Sequence, residues 1–322
     1  MAHEARTSGS VPPLLVLTGP TGSGKSDWAL RLAESAPVEI VSVDSALVYR
    51  GLDIGSAKPT LQVRQRIAHH LIDLCDPAES YSAGRFVADA LAAIAAIEAR
   101  RRVALLVGGT MLYLRALLHG LAPLPQASAA LRAEINQRAT REGWQALHTE
   151  LAGLDPVAAA RIKCSDSQRI QRALEVCYAT GCRMSDLQRA TVSALSGRDV
   201  QLWALAPSDR AVLHARLEER FLGMMRAGFL EEVRTLFTRG DLTAQHSSMR
   251  AVGYRQLWAH LQGDYDLAEG VRRGISATRQ LAKRQLTWLR SETSVHWLDP
   301  SAAQLQSSWT CDLSQRLRVL GF

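Results

Sequence analysis

The sequence predicts an α/β protein: a parallel sheet flanked by helices, with an inserted all-helical domain. Three observations predict it. Short runs that are apolar at nearly every residue alternate with helix-like stretches, the pattern of strands buried on both faces. The first such run leads straight into a glycine-rich turn and then a helix. A long middle stretch, from Ala129 to about Arg198, is rich in Ala, Arg and Gln and shows no strand pattern.

Leu14–Thr18 reads as the first buried strand and Ser26–Ala36 as the helix after it. VEIVSV, Val38–Val43, is a second strand ending at Asp44, and His70–Leu74 reads as a short third. Ser82 opens an Ala-rich helix through Arg100. VALLV, Val103–Val107, is another buried strand, halted by Gly108 and Gly109. LAPLPQAS then breaks the pattern with prolines, and the helical insertion follows. Gln201–Leu205 returns to the sheet, helices run on to Arg290 with breaks near Gly240 and Gly263, and Val295–Leu298 is an edge strand. The expected organisation is a disordered tail over 1–12, a core built from 13–122 and 200–322, and a helical insertion over 123–199.

The bulk composition narrows the function classes. The chain has 322 residues, 47% hydrophobic and 21% charged, ordinary for a globular protein of one or two domains. No apolar run approaches the roughly 18–20 residues of a membrane span, and MAHEARTSGS lacks a signal-peptide core. No membrane partner and a cytoplasmic location are therefore expected. A net charge of +7 suits a polyanionic partner. The five cysteines form no C-x-x-C pair and read as reduced, mostly buried thiols.

The chemistry-bearing stretch is LTGPTGSGKS. Gly19, Gly24, Lys25 and Ser26 satisfy G-x-x-x-x-G-K-[ST] between a strand and a helix. Glycines let backbone N–H groups approach phosphate oxygens, and the following helix aims its positive end at the same place. Lys25 adds a cation, and Ser26 offers a hydroxyl to Mg²⁺. The core is therefore expected to be P-loop NTPase-like.

A hydrolysing enzyme of that kind needs a second strand ending in a carboxylate. Here VALLV ends in Gly108, Gly109 and Thr110. The acid at a strand end is Asp44, in SVDSALVY. Such a site holds a diphosphate but is poorly equipped to cleave an anhydride. A diphosphate is also a leaving group on carbon, a reaction that needs cations on its oxygens and a base for the nucleophile. Asp44 also reads as a structural or metal-side carboxylate, and Thr110 as a helix N-cap.

DSALVYRGLDIGSAKPT, HHLID, LVGGTMLYLRALLHGL, QRIQRALEV, RAVGYRQ and KRQLTWLR resemble, in order, the bacterial tRNA dimethylallyltransferases, or tRNA isopentenyltransferases. The resemblance runs from about residue 14 to 300. Its loop reads GPTGSGKS where many members read GPTASGKT, so Gly22 and Ser26 are conservative departures. The resemblance implies transfer of the dimethylallyl group of dimethylallyl diphosphate to N6 of adenosine at tRNA position 37, beside the anticodon, by a monomer assisted by Mg²⁺.

By that resemblance Asp44 is the general base and Thr110 contacts the bridging oxygen of the diphosphate. Gly19, Pro20, Thr21, Gly22, Ser23, Gly24, Lys25 and Ser26 cradle the diphosphate, and Arg220 in LEERF reaches it. The matching tRNA contacts are Asp44, Ser45, Ala46, Leu47 and Thr110, then Arg132, then Gln168, Arg169, Ile170, Gln171 and Arg172. They continue with Arg250, Ala251, Val252, Gly253, Tyr254 and Arg255, and end with Lys283, Arg284, Gln285, Leu286, Thr287, Trp288, Leu289 and Arg290.

The residues themselves also point to RNA. On a helix from about Asp266 to Arg290, at about 100° per residue, Arg272, Arg279, Lys283 and Arg290 fall within roughly 20° of one line, with Arg273 and Arg284 flanking it. Few acids intervene, so the stripe suits a phosphate backbone. Arg161, Lys163, Arg169 and Arg172 form a second basic set. A target base in an RNA loop leaves its stack to react, which places a base pocket near Asp44. His69, His70, Trp258 and Trp288 read as structural. Three other readings stay open: a small-molecule P-loop kinase, a nucleotide-gated RNA-binding protein without catalysis, and a prenyltransferase acting on free adenine nucleotides.

Overall fold

The computed structural model describes residues 12–122, 124–125, 128–189, 191, 193–302 and 304–322. The tail expected over residues 1–12 lies outside these except for Pro12, which is buried and accepts a hydrogen bond from Arg198. The chain divides into two compact units, one of residues 1–114 with 197–322 and one of residues 115–196.

In chain order the elements are β1 (Leu14–Thr18), α1 (Lys25–Ser35), β2 (Val38–Val43), α2 (Leu61–Arg66), β3 (His69–His70), α3 (Ala83–Ala99), β4 (Val103–Gly108) and α4 (Met111–His119). Then come α5 (Ala129–Leu154), α6 (Pro156–Arg161), α7 (Ser167–Thr180), α8 (Met184–Arg189), β5 (Val200–Leu205), α9 (Arg210–Arg226), α10 (Phe229–Phe237), α11 (Tyr254–Leu261), α12 (Leu267–Leu289), β6 (Val295–Leu298) and α13 (Leu305–Val319). The boundary between the units falls within α4.

The first unit carries one parallel six-stranded sheet of order β3-β2-β4-β1-β5-β6. Its two central strands, β1 and β4, are nearly continuous apolar runs because both faces are covered. From β1 the chain crosses over β4 to reach β2, and after β4 it returns on the other side of β1 to form β5. That reversal makes a crevice at the carboxyl ends of β1 and β4, where open α/β sheets bind ligands. The register levels the strand ends there: Thr18 pairs with Gly108, and Val43 pairs with Gly108 on the other side. Everything chemical follows these three ends.

One sheet face packs under α1 and α13 around Leu15, Leu17, Leu32, Leu105 and Leu205. Trp309 of α13 lies 5.4 Å from Trp28 and 5.7 Å from Trp203, ring centre to ring centre. Helices α2 and α13 are additions to the sequence reading, and α4 begins directly after Thr110, where that reading allowed a helix start. The third strand is His69–His70 rather than His70–Leu74, because Leu71 and Asp73 take positive φ and turn the chain out of the sheet.

The second unit is helical, with its own core of Ile135, Leu147, Leu151, Ile170, Leu174 and Val176 among others. Gly143 breaks α5 with φ 80°. Asp155, fully buried, caps α6 through the Ala158 N–H at 2.9 Å and holds Ser185 at the start of α8 through its N–H and hydroxyl, both at 2.8 Å. Among the cysteines Cys75 and Cys177 are buried, but Cys164, Cys182 and Cys311 are exposed, which corrects the expectation of mostly buried thiols.

Candidate active site

The phosphate loop, Gly19 to Ser26, leaves β1 and enters α1 through Gly24, whose φ of 92° is left-handed. Lys25 folds back over its own loop, donating to the carbonyls of Gly19 at 2.9 Å and Pro20 at 2.7 Å. Burial, and then the nearby Arg220 charge, lower its ammonium to about 7, with Asp44 opposing. Ser26 is exposed at the head of α1, and Ser23 is buried.

Asp44 follows the end of β2 and accepts the Ala46 N–H at 2.8 Å. Burial raises its carboxyl above the usual aspartate value, against the pull of the Ala46 and Leu47 amides and the charges of Lys25 and Arg220. A carboxylate with its pKa raised in this way is a better proton acceptor. Thr110 follows β4. Its backbone N–H donates to Val43 at 3.1 Å, and its hydroxyl accepts the Ser45 N–H at 3.0 Å. The two glycines before it are set by space. A Cβ on Gly108 would meet the Val43 carbonyl oxygen at 2.1 Å, and one on Gly109 would meet Gln285 Nε2 at 2.6 Å.

Two cavities meet at these residues. One, of about 500 Å³, is bordered by Ala46, Arg250, Val252, Arg284 and Trp288 among others. The other, of about 400 Å³, has Lys25 and Ser26 beside an apolar wall of Leu30, Leu47, Val63 and Ile72. Thr21, Asp44, Ser56, Gly109, Arg220 and Gln285 border both. Arg220 therefore stands at the junction of the two cavities. Burial lowers its guanidinium, while the Asp44 and Asp27 carboxylates counteract.

The structure redistributes several sequence assignments. Thr21 belongs to the loop, but its backbone N–H is taken by Gln285 Oε1 at 2.8 Å. It offers a phosphate no free amide in this state. Ile170 and Leu289 are buried, so their side chains do not face a dissolved partner, and Gly253 has none to offer; Tyr254 is buried too but borders the larger cavity. Tyr254 donates its hydroxyl to Glu232 at 2.5 Å. Arg255 is exposed, and Arg250, Ala251 and Val252 border the larger cavity. Leu286 packs against Leu213 and Leu217.

In the second unit, Gln168 and Arg169 are exposed, and Gln171 bonds Asn136 at 2.9 Å. Arg132 and Arg172 both reach Glu175, at 2.9 Å and 3.4 Å. The Glu175 side chain is only 2% exposed, and a carboxylate at that depth needs its partners. Both arginines thus have a structural task that the sequence does not disclose.

The continuous basic stripe on α12 is also corrected. Arg272 and Arg273 share Glu269, and Arg279 pairs with Glu218 at 2.6 Å. Among the described residues Lys283, Arg284 and Arg290 make no ion pair. Arg284 borders the cavity at Asp44, whereas Lys283 and Arg290 border a separate one with Thr287 and the half-exposed Trp297. His69 borders the smaller cavity with Nδ1 on the Ile67 carbonyl, and His70 bonds Glu39. Trp258 is core, but Trp288 borders the larger cavity.

Sequence reasoning missed Glu232. Its carboxylate accepts the N–H groups of Asp53, Ile54 and Gly55 at 3.0, 2.6 and 3.1 Å. It thereby holds the segment that carries Gly55 and Ser56 into the larger cavity.

A family model described as IPP transferase matches residues 47–292. The chain belongs to the IPP transferase family. It is 55% identical to the tRNA dimethylallyltransferase of Methylococcus capsulatus over 97% of this chain and 100% of that one. Identity to the tRNA dimethylallyltransferase of Nitrosococcus oceani is 55%, over 92% of this chain and 95% of that one. The full-length tRNA isopentenylpyrophosphate transferase of Bacillus halodurans has a similar crystal structure. Its TM-score is 0.69 at 32% identity, covering 96% of this chain and 98% of that one. Crystallographic snapshots of a eukaryotic dimethylallyltransferase acting on tRNA match with a TM-score of 0.77 at 27% identity, over 94% of this chain and 77% of that one. The fold is P-loop NTPase-like, as these neighbours share it.

Proposed function

We propose that this chain transfers the dimethylallyl group of dimethylallyl diphosphate to N6 of adenosine 37 in tRNA, releasing diphosphate. One observation carries the reading: Asp44 and Arg220 border two cavities at once, one with a phosphate loop and an apolar wall, the other with open cations. The names of the relatives support the same activity.

The donor fits the smaller cavity, its diphosphate on the loop amides and Lys25 and its five-carbon tail against Leu30, Leu47, Val63 and Ile72. The adenine fits the larger. N6 attacks the allylic carbon in line as the carbon–oxygen bond breaks, and the departing diphosphate keeps the electron pair. The N6 proton passes to Asp44. Lys25, Arg220 and the Thr110 hydroxyl stabilise the charge gathering on the leaving oxygens. Ser26 suits Mg²⁺, whose remaining ligands are typically water and substrate oxygens; the ion would supply further positive charge to the diphosphate.

The acceptor region is the anticodon stem-loop, held by Lys283 and Arg284 of α12 and by Arg290 just beyond its end. The chain acts as a cytoplasmic monomer. Among the described residues no helix is long and apolar enough to cross a membrane. The test is nucleoside mass analysis of unmodified tRNA after incubation with protein, Mg²⁺ and donor. Replacing tRNA with AMP in parallel separates this reading from action on free nucleotides.

A further inference from the structure

Gln285 lies on α12 within the segment that the sequence assigns to RNA, yet it is 8% exposed. Each end of its amide makes a hydrogen bond inside the protein. Oε1 accepts the Thr21 N–H at 2.8 Å, and Nε2 donates to the Gly109 carbonyl at 2.7 Å. The partners fix the amide's orientation, since the N–H needs an acceptor and the carbonyl a donor.

Thr21 belongs to the phosphate loop after β1, and Gly109 directly precedes Thr110 after β4. One side chain from a third element therefore braces the two turns that face the leaving group. The brace is tight: a Cβ on Gly109 would sit 2.6 Å from Gln285 Nε2 and 3.0 Å from the Gly19 carbonyl oxygen. Glycine at 109 is thus the counterpart of glutamine at 285.

We infer that Gln285 is a positioning residue for the transfer, setting the spacing between the diphosphate cradle and the Thr110 hydroxyl instead of reading RNA. The inference rests on the transferase reading for its consequence in the reaction, but the brace itself acts on any diphosphate in the loop. Its physical basis is the sensitivity of in-line displacement to misplacement of the reacting groups. Without the brace the Thr21 peptide loses its acceptor and the Gly109 carbonyl its donor, and both turns relax. Arg284 and Trp288, the neighbours of Gln285 along α12, border the larger cavity and remain the groups placed to meet an acceptor.

The experiment pairs Gln285→Met, which keeps the length and removes both bonds, with Gly109→Ala, which displaces the amide without altering Gln285. Each single variant and the double variant are assayed for kcat, for KM of donor and of tRNA, and for binding of inorganic diphosphate by calorimetry. Each single variant is expected to weaken diphosphate binding and to lower kcat at least tenfold, with KM for tRNA within twofold of the parent chain. The double variant is expected to be no worse than the poorer single, because both changes break one linkage.

A tRNA KM raised tenfold with diphosphate binding intact would overturn the inference and make Gln285 an RNA contact. Additive losses in the double variant would also overturn it. Should the parent chain bind diphosphate but modify no tRNA, the transferase reading fails, while the calorimetric arm still decides the brace. If Gln285→Met fails to fold, Gly109→Ala supplies the same comparison.

Discussion

The Thr110 hydroxyl accepts the Ser45 backbone N–H at 3.0 Å, so the turn after β4 is tied to the residue that follows Asp44. The bond sets Asp44, the proposed base, and the Thr110 hydroxyl at a fixed spacing across adjacent strands. Neither group depends on a long flexible segment for its position.

Asp44→Asn keeps the Ala46 hydrogen-bond acceptor but removes the base. Transfer is expected to fall about 10²–10⁴-fold, the usual worth of general-base catalysis, with tRNA binding within twofold. Filter binding and single-turnover kinetics check the two halves. Because burial raises the Asp44 carboxyl, and only its ionised form accepts a proton, the acid limb of kcat/KM is expected above the ordinary aspartate range.

Thr110→Val removes the hydroxyl while keeping the branched shape. A loss of about 10²-fold in kcat is expected, comparable to deleting one oxyanion donor. Thr110→Ser is expected to recover most of it. A steady-state comparison at saturating substrates decides.

Lys25 makes donor binding depend on pH. Its ammonium titrates at about 7 in the ligand-free site, and diphosphate favours the charged form. Below pH 7 the proton is already present. Above it, binding must take up a proton, and affinity falls by up to about tenfold per pH unit. Calorimetry in buffers of different ionisation enthalpy is expected to show proton uptake near pH 8 that Lys25→Arg abolishes.

The charge pattern on α12 separates free cations from paired ones. Alanine at Lys283 or Arg290 is expected to weaken tRNA binding and to lower the salt slope by about one each. Alanine at Arg272 is expected to leave the slope unchanged, since that guanidinium is held by Glu269. Binding isotherms at several salt concentrations test the contrast.

Glu232→Ala leaves three backbone N–H groups and the Tyr254 hydroxyl without their acceptor. A stability loss of about 1–3 kcal/mol is expected from the unsatisfied groups, read as a shift in denaturant midpoint.

What the sequence discloses is what local pattern encodes. Leu14–Thr18 and Val103–Val107 are legible as strands because burial on both faces leaves only apolar residues. The phosphate loop is legible because its glycines and Lys25 lie within eight positions of one another in the sequence. Asp44 is legible because it ends a strand. Pairings between distant segments are not legible: Glu218 neutralises Arg279 from another helix, and Gln285 reaches Thr21 across most of the chain. Helix α13 is missed for a related reason. Trp309, Leu313 and Leu317 are spaced for one helix face, but their apolar partner surface on Trp28 and Trp203 exists only in the folded sheet.

The central claim is that carbon, not phosphorus, is attacked at the phosphate loop. The most direct measurement is product analysis with donor labelled in the dimethylallyl carbon and, separately, in the β-phosphate. The account predicts the carbon label on tRNA adenosine and the phosphorus label entirely in free diphosphate. Phosphorus label on any acceptor, or release of orthophosphate from ATP with tRNA adenosine left unaltered, would contradict it.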